Sequence, residues 1–160
     1  MLPKIETIIY ACDLDTNTQA AMELVMNLAL QNQAKVIVLH AMEPISAQAE
    51  GMINSYLSSE TIQGLRAETR KATQAKMDQY IDVFLEQHQA ELQALNSKPQ
   101  GLLVSASPHD AIQTIAKEHK ANLIVMNSRT HSKLGQMLIG STANKVIHQS
   151  DIPVLVVPIK

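Results

Sequence analysis

Five short apolar runs, at residues 5–11, 35–41, 102–106, 122–126 and 152–158, are separated by longer stretches with helical character, and this alternation leaves few folds open. The runs are rich in Val, Ile and Leu and bounded by polar or turn-forming residues, the pattern of strands buried on both faces. Between the first two, Thr16-Asn17-Thr18-Gln19 has the spacing of a Thr-x-x-Gln capping box, and Ala21, Leu24, Val25 and Leu28 follow on one helical face. Pro44 closes the second strand. Residues 45–60 carry no clear period, whereas residues 61–95 predict the longest helix, with Leu65, Ala72, Tyr80 and Phe84 inward. Ser107-Pro108-His109-Asp110 reads as an N-cap, a proline in the first turn and an acid near the helix start, followed by the buried stripe Ile112, Ile115 and Ala116. Residues 127–140 predict a polar loop and residues 141–149 a last helix.

Strands joined by segments long enough to cross over imply an α/β fold, an open and mostly parallel sheet with helices on both faces. Ligands of such sheets bind beyond the carboxyl ends of the strands, where the winding reverses. The loops after the first and fourth strands are therefore the candidate site, provided those strands are neighbours. Periodicity alone leaves that adjacency open.

Composition narrows the setting. The 160 residues fit a single domain, 46% of them hydrophobic and 18% charged, with a net charge of −2. That balance argues against nucleic acid as a partner. The one cysteine, Cys12, has no intramolecular partner, and no basic, apolar and small-residue succession opens the chain, so a cytoplasmic protein is expected. No apolar run is long enough to cross a bilayer. The six histidines show no ligand spacing, so no metal site is expected, and His40 is read as a satisfied residue near a strand end. Ser107, His109 and Asp110 hold the residue types of a triad, but at a helix start they read as capping groups, and no catalytic residue is assigned. Cys12 and the eight methionines read as packing residues.

Asn127-Ser128-Arg129-Thr130, nine residues from His131 to Ile139 and then Gly140-Ser141 resemble the universal stress protein signature Gly-x2-Gly-x9-Gly-(Ser/Thr), with its spacing intact. The first strand, acidic turn and helix (IIYACDLDTNTQAAMELVMNLA) and the last strand (IPVLVV) resemble those of the same family. The resemblance implies a single domain over residues 1–160, with a three-layer, Rossmann-like fold of five parallel strands in the order 3-2-1-4-5. It further implies an adenine-nucleotide site for ATP or AMP, with or without Mg2+, in a stress-response module acting as a homodimer. Asp13, beside Cys12, and the backbone of His40, Ala41 and Met42 would hold the adenosine part. Met126, Asn127, Ser128, Arg129, Thr130 and His131, with Gly140, Ser141 and Thr142, would cradle the phosphates.

The physical basis is that glycines let successive N–H groups form an anion-binding concavity, and a helix N-terminus adds unpaired donors and partial positive charge. Gly140-Ser141 keeps that feature, while Asn127 and Thr130 stand where the signature has glycines. A β-branched threonine does not suit left-handed geometry, so the loop binds phosphate differently or not at all. Ser128, Arg129, His131, Ser132 and Lys133 offer side-chain donors in compensation. Asp13 is also readable as a turn residue before the first helix, and Ser141 as a plain N-cap.

Two readings follow, a nucleotide-responsive module with at most slow ATP hydrolysis and a nucleotide-independent interaction protein of the same fold. An enzyme using the same cleft is a third. The missing Gly-x-x-x-x-Gly-Lys-(Ser/Thr) motif argues against P-loop chemistry. In every case Val154, Leu155, Val156 and Val157 would form an apolar edge strand, best protected by pairing across a two-fold axis.

Overall fold

A computed structural model describes residues 1–14, 18–128 and 139–159. The elements run β1 (Thr7–Ala11), α1 (Gln19–Asn32), β2 (Lys35–Met42), α2 (Ala47–Tyr56), α3 (Ser59–Gln87), β3 (Gln100–Ser105), α4 (Pro108–Glu118), β4 (Leu123–Ser128), α5 (Ser141–Gln149) and β5 (Val154–Pro158). All four strand pairings are parallel, and the order is β3-β2-β1-β4-β5, as the resemblance implied. β1 lies between β2 and β4, with Ala11 opposite Leu39 on one side and Met126 on the other. The winding therefore reverses between β1 and β4.

Alternation along the central strands divides the core in two. Ile8, Tyr10, Val36, Val38 and Val125 point into a layer closed by α1 and α3, while Ile9, Ile37, Leu39, Ile124 and Met126 meet α4 and α5. Both sheet faces are covered, which is why these strands read as continuous apolar runs. Helix α1 buries Ala21, Met22, Val25, Met26 and Ala29, so its inner face is rotated from the predicted one and Leu24 is exposed. Methionines at 22 and 26 fill that layer.

Helix α3 starts at Ser59, capped by Ser58 whose hydroxyl accepts from the Thr61 N–H, and ends at Gln87 rather than near residue 95. Its buried residues are Ile62, Met77, Ile81 and Phe84; Leu65 and Ala72, predicted inward, are exposed. In the first half of this helix Ile62 and Leu65 line a cavity with Met42 and Ser105 of the strand ends. The unassigned segment 45–60 contains α2, which buries none of its residues. Helix α4 begins as predicted: the Ser107 hydroxyl accepts from the Asp110 N–H at 3.3 Å, a cap worth about 1 kcal/mol.

Gly101 and Gly64 have opposite surroundings. A Cβ at Gly101 would lie 2.5 Å from the sulfur of the buried Met77 and 3.2 Å from Ile81, so strand and helix approach here closely enough to exclude a side chain. A Cβ at Gly64, inside α3, meets nothing within 4 Å. In urea denaturation Gly101→Ala should lose about 1–3 kcal/mol to overpacking. Gly64→Ala should gain about 0.5–1 kcal/mol through lower unfolded-state entropy and better helix propensity. Changes of the same sign would contradict this packing.

Candidate functional site

Beyond the carboxyl ends of β1, β2 and β4 lies a cleft of about 350 Å³. Its floor is the strand ends, Ala11, Leu39, Ala41, Met126 and Asn127, and its walls are the turn after β1 and the first turns of α4 and α5. Parallel strands force this arrangement, because every strand delivers its following loop to the same edge of the sheet.

The turn after β1 is tightly built. The Cys12 N–H donates to the Leu39 carbonyl at 2.8 Å, and the Cys12 carbonyl accepts from His40 Nδ1 at 2.7 Å. Because a carbonyl only accepts, Nδ1 carries the proton, and His40 has the expected satisfied role. Leu14 is buried with φ of 59°, a left-handed conformation costing a leucine about 1–2 kcal/mol. Buried packing holds that residue in place, and the turn sets Asp13 on the cleft wall. Cys12 is itself buried, which pushes its thiol pKa up and suits a packing residue.

Opposite stands the N-terminus of α5. Its N-cap is Gly140, with no side-chain cap and no acidic residue in the first turn. Gly140, Ser141, Thr142 and Ala143 all line the cleft. Backbone N–H groups at such an end favour anions by hydrogen bonding and by the helix dipole. The cleft thus has a carboxylate at one wall, an anion-favouring helix end at another, and apolar contacts from Pro108 and Ile112.

Nine expected site residues therefore come together: Cys12, Asp13, His40, Ala41, Met126, Asn127, Gly140, Ser141 and Thr142. Two do not. Met42 follows Ala41 on the strand, so its side chain turns to the opposite face, where it lines a second cavity. Ser128 is buried and does not line the cleft, since β4 runs on through it to pair with Pro158. Arg129, Thr130 and His131, with Ser132 and Lys133, lie outside the described residues. Leu39, Pro108, Ile112 and Ala143 are additional lining residues. The alternation of β2 pairs Leu39 with Ala41 on one face, but the approach of α4 depends on tertiary packing that no local pattern reports.

Asn127, at the first glycine position of the signature, has a specific partner. Its side-chain oxygen accepts from the Tyr10 hydroxyl at 3.0 Å. The same hydroxyl lies 3.3 Å from the Thr18 carbonyl, and the Thr18 hydroxyl donates to the Tyr80 oxygen at 3.3 Å. Thr18, rather than Thr16, is the N-cap of α1, and its side chain serves this network instead of capping the helix. The Asn127 side chain is drawn toward the α1 and α3 layer, so replacing glycine here does not plug the cleft.

At the start of α4 the Ser107 hydroxyl donates to Asp110 at 2.6 Å, which holds that carboxyl below its ordinary pKa, with the neighbouring His109 adding to the effect. The hydroxyl is engaged by the acid rather than by a histidine, as capping requires. Among the described residues, no three His, Cys, Asp or Glu side chains gather as a metal site, and no helix is long and apolar enough to cross a membrane.

A sequence model of the Universal stress protein family matches residues 4–158. The chain belongs to the universal stress protein family. One curated relative, the universal stress protein MJ0577 of Methanocaldococcus jannaschii, is 25% identical over 150 residues, covering 94% of this chain and 93% of its own length. The solved structure of MJ0577 superposes with a TM-score of 0.66 at 23% identity, covering 99% of each chain. A universal stress protein solved in complex with cAMP gives a TM-score of 0.59 at 21% identity, covering 99% of this chain and 100% of its own. The universal stress protein from Archaeoglobus fulgidus in complex with dAMP gives 0.57 at 15%, covering 97% and 98%. These likenesses establish the same Rossmann-like α/β fold.

Burial raises the pKa of both network tyrosines, Tyr80 to about 12 and Tyr10 further. In the unfolded chain these phenols ionise near 10, so above that pH the unfolded state releases protons the native state retains. Their contribution is complete below pH 10 and lost as pH rises toward 12 and beyond. Urea midpoints should therefore fall over this interval, and less steeply in Tyr80→Phe. Parallel pH profiles for the variant and the parent would contradict the buried network.

Proposed function

We propose that this universal stress protein binds an adenine nucleotide, ATP or AMP, in the cleft between β1 and β4, and works as a nucleotide-responsive homodimer in the stress response. The carrying observation is the meeting, in one cleft, of Asp13 with the uncapped N-terminus of α5. A carboxylate is a natural acceptor for ribose hydroxyls, and a helix end rich in N–H donors suits phosphate. The apolar floor and the Ile112 wall suit a planar base. The cAMP and dAMP complexes of the related proteins support the same ligand class.

Nucleotide binding rather than turnover is the role these residues suit. Asp13 and the α5 end are binding groups, and the Ser107 hydroxyl is committed to its cap and to Asp110. Any ATP hydrolysis would be slow, and Mg2+, where it takes part, would be held mainly by the phosphates. A second reading, a nucleotide-independent dimer of the same fold, draws support from Asn127 and Thr130 in place of signature glycines. The cytoplasm suits either role.

The homodimer rests on β5. Among the described residues it pairs only with β4 and lies at the end of the sheet, and its residues Val154, Leu155, Val156 and Val157 are half-buried. An apolar edge of this kind is a pairing template, and antiparallel docking of two copies across a two-fold axis closes it.

Calorimetric titration with AMP and with ATP and magnesium should give saturable binding of one nucleotide per protomer. Asp13→Ala should weaken it at least about tenfold, the loss of a charge-assisted hydrogen bond. Gly140→Val should abolish binding while leaving the thermal midpoint near that of the parent, because the φ of −55° is ordinary and a Cβ there meets nothing within 4 Å. Absence of binding and of co-purified nucleotide in the parent would favour the second reading. Val156→Lys should reduce the mass measured by light scattering from dimer to protomer; an unchanged dimer would refute the β5 interface.

A further inference from the structure

Strands β1 and β2 pair from Thr7 with Lys35 to Ala11 with Leu39, although β2 runs on to Met42. Side chains make the stop. Successive residues of a strand turn their N–H and carbonyl groups to opposite neighbours. The Leu39 carbonyl faces β1, where it accepts from the Cys12 N–H at 2.8 Å, and the Met42 carbonyl faces β3, where it accepts from the Ala106 N–H at 3.2 Å. Ala41 therefore turns both its N–H and its carbonyl to the β1 side. Continuation of the ladder would pair them with the Cys12 carbonyl and the Leu14 N–H.

Both of those partners are engaged elsewhere. His40 Nδ1 donates to the Cys12 carbonyl at 2.7 Å, and the Leu14 N–H donates to the Cys12 sulfur at 3.4 Å. Among the described residues, no backbone hydrogen bond joins Ala41 to Cys12 or Leu14. Ala41 and Cys12 both line the cleft, so the N–H and carbonyl of Ala41 lie where β1 has ended, at the edge of the cleft. Backbone groups so placed take water or a ligand as partner.

His40 acts from behind. By alternation its side chain lies on the face of Val36 and Val38, toward the α1 and α3 layer, whereas Ala41 lies with Leu39 toward α4. Its ring reaches the Cys12 carbonyl from that side. Because a carbonyl only accepts, Nδ1 keeps its hydrogen whether or not Nε2 is protonated, so the tie does not depend on the charge of the histidine.

An N–H and a carbonyl on one residue form a donor and acceptor edge. Adenine presents the complement, N1 as acceptor beside the 6-amino group as donor. A 6-oxo purine presents the reverse, N1–H beside a carbonyl, and sets like groups against each other. We propose that His40 is a positioning residue for base recognition: by holding the Cys12 carbonyl it stops the β1–β2 ladder at Leu39 and leaves the Ala41 N–H and carbonyl to read a 6-aminopurine. This rests on the nucleotide reading of the cleft. Without the imidazole, the donor next in line for the Cys12 carbonyl is the Ala41 N–H, and closing that bond withdraws it from the base.

Two measurements on the full chain test this. Amide hydrogen exchange of the ligand-free protein should show Ala41 exchanging faster than Leu39. In His40→Leu the Ala41 amide should become protected; in His40→Asn, whose side-chain amide can take the place of Nδ1, it should stay open. Calorimetric titration of the parent should give AMP at least about tenfold tighter binding than inosine monophosphate, its 6-oxo counterpart. That preference should vanish in His40→Leu and return in His40→Asn. A merely structural role for His40 would weaken both nucleotides alike; tight AMP binding by the parent with an unchanged preference in His40→Leu would therefore overturn the proposal alone. An Ala41 amide as protected as Leu39 in the parent would overturn it too. Binding of neither nucleotide by the parent would overturn the nucleotide reading and this proposal with it.

Discussion

Everything at the candidate site depends on the pairing of β1 with β4. Ile8 to Ala11 lie beside Leu123 to Met126, so the turn carrying Asp13 and the carboxyl end of β4 lie side by side. That pairing is secured on both faces, by Ile8, Tyr10 and Val125 against α1 and α3, and by Ile9, Ile124 and Met126 against α4 and α5. A register slip of one residue would exchange the two sets and expose the core of each layer. Burial on both faces therefore does more than stabilise the sheet; it fixes which strand ends meet at the cleft floor.

The same geometry accounts for a departure from the family signature. A glycine at position 127 would let backbone approach a ligand closely, whereas asparagine ties the end of β4 to Tyr10. Because the strand turns that side chain toward the α1 and α3 layer, the tie lies behind the cleft floor. Thr18 and Tyr80 extend it to the start of α1 and the middle of α3. A buried hydroxyl network braces the floor here, with a strained Leu14 turn on the adjoining wall.

Strand positions were legible in the sequence because burial on both faces leaves uninterrupted apolar runs, and α4 because its cap and stripe agree; α5 lies where expected, although its N-cap is Gly140 with no side-chain cap rather than Ser141. Helix faces were less so. Methionines 22 and 26 carry the inner face of α1, and Ile62 and Leu65 early in α3 line a cavity, so a simple stripe misplaced Leu24 and Leu65; Ala72 lies on the exposed side of α3. Segment 45–60 resisted reading because α2 buries nothing and has no stripe to show. At the site, the strand-end residues and Gly140 that line the cleft lie where the signature's spacing puts them, while the side chain of Met42 lines the second cavity and Ser128 is buried, because successive strand residues face opposite ways. Pro108 and Ile112 join the cleft only through the packing of α4 against β1 and β2, a contact distant in sequence.

The most direct test of the central claim is an amide NMR titration of the isotopically labelled protein with AMP. The account predicts perturbed amides at residues 11–13, 40–41, 126–127 and 140–143, with those of α2 and the first half of α3 unmoved. Perturbations centred on α2 and α3, or none at saturating nucleotide, would contradict the assignment of the β1 and β4 cleft as the binding site.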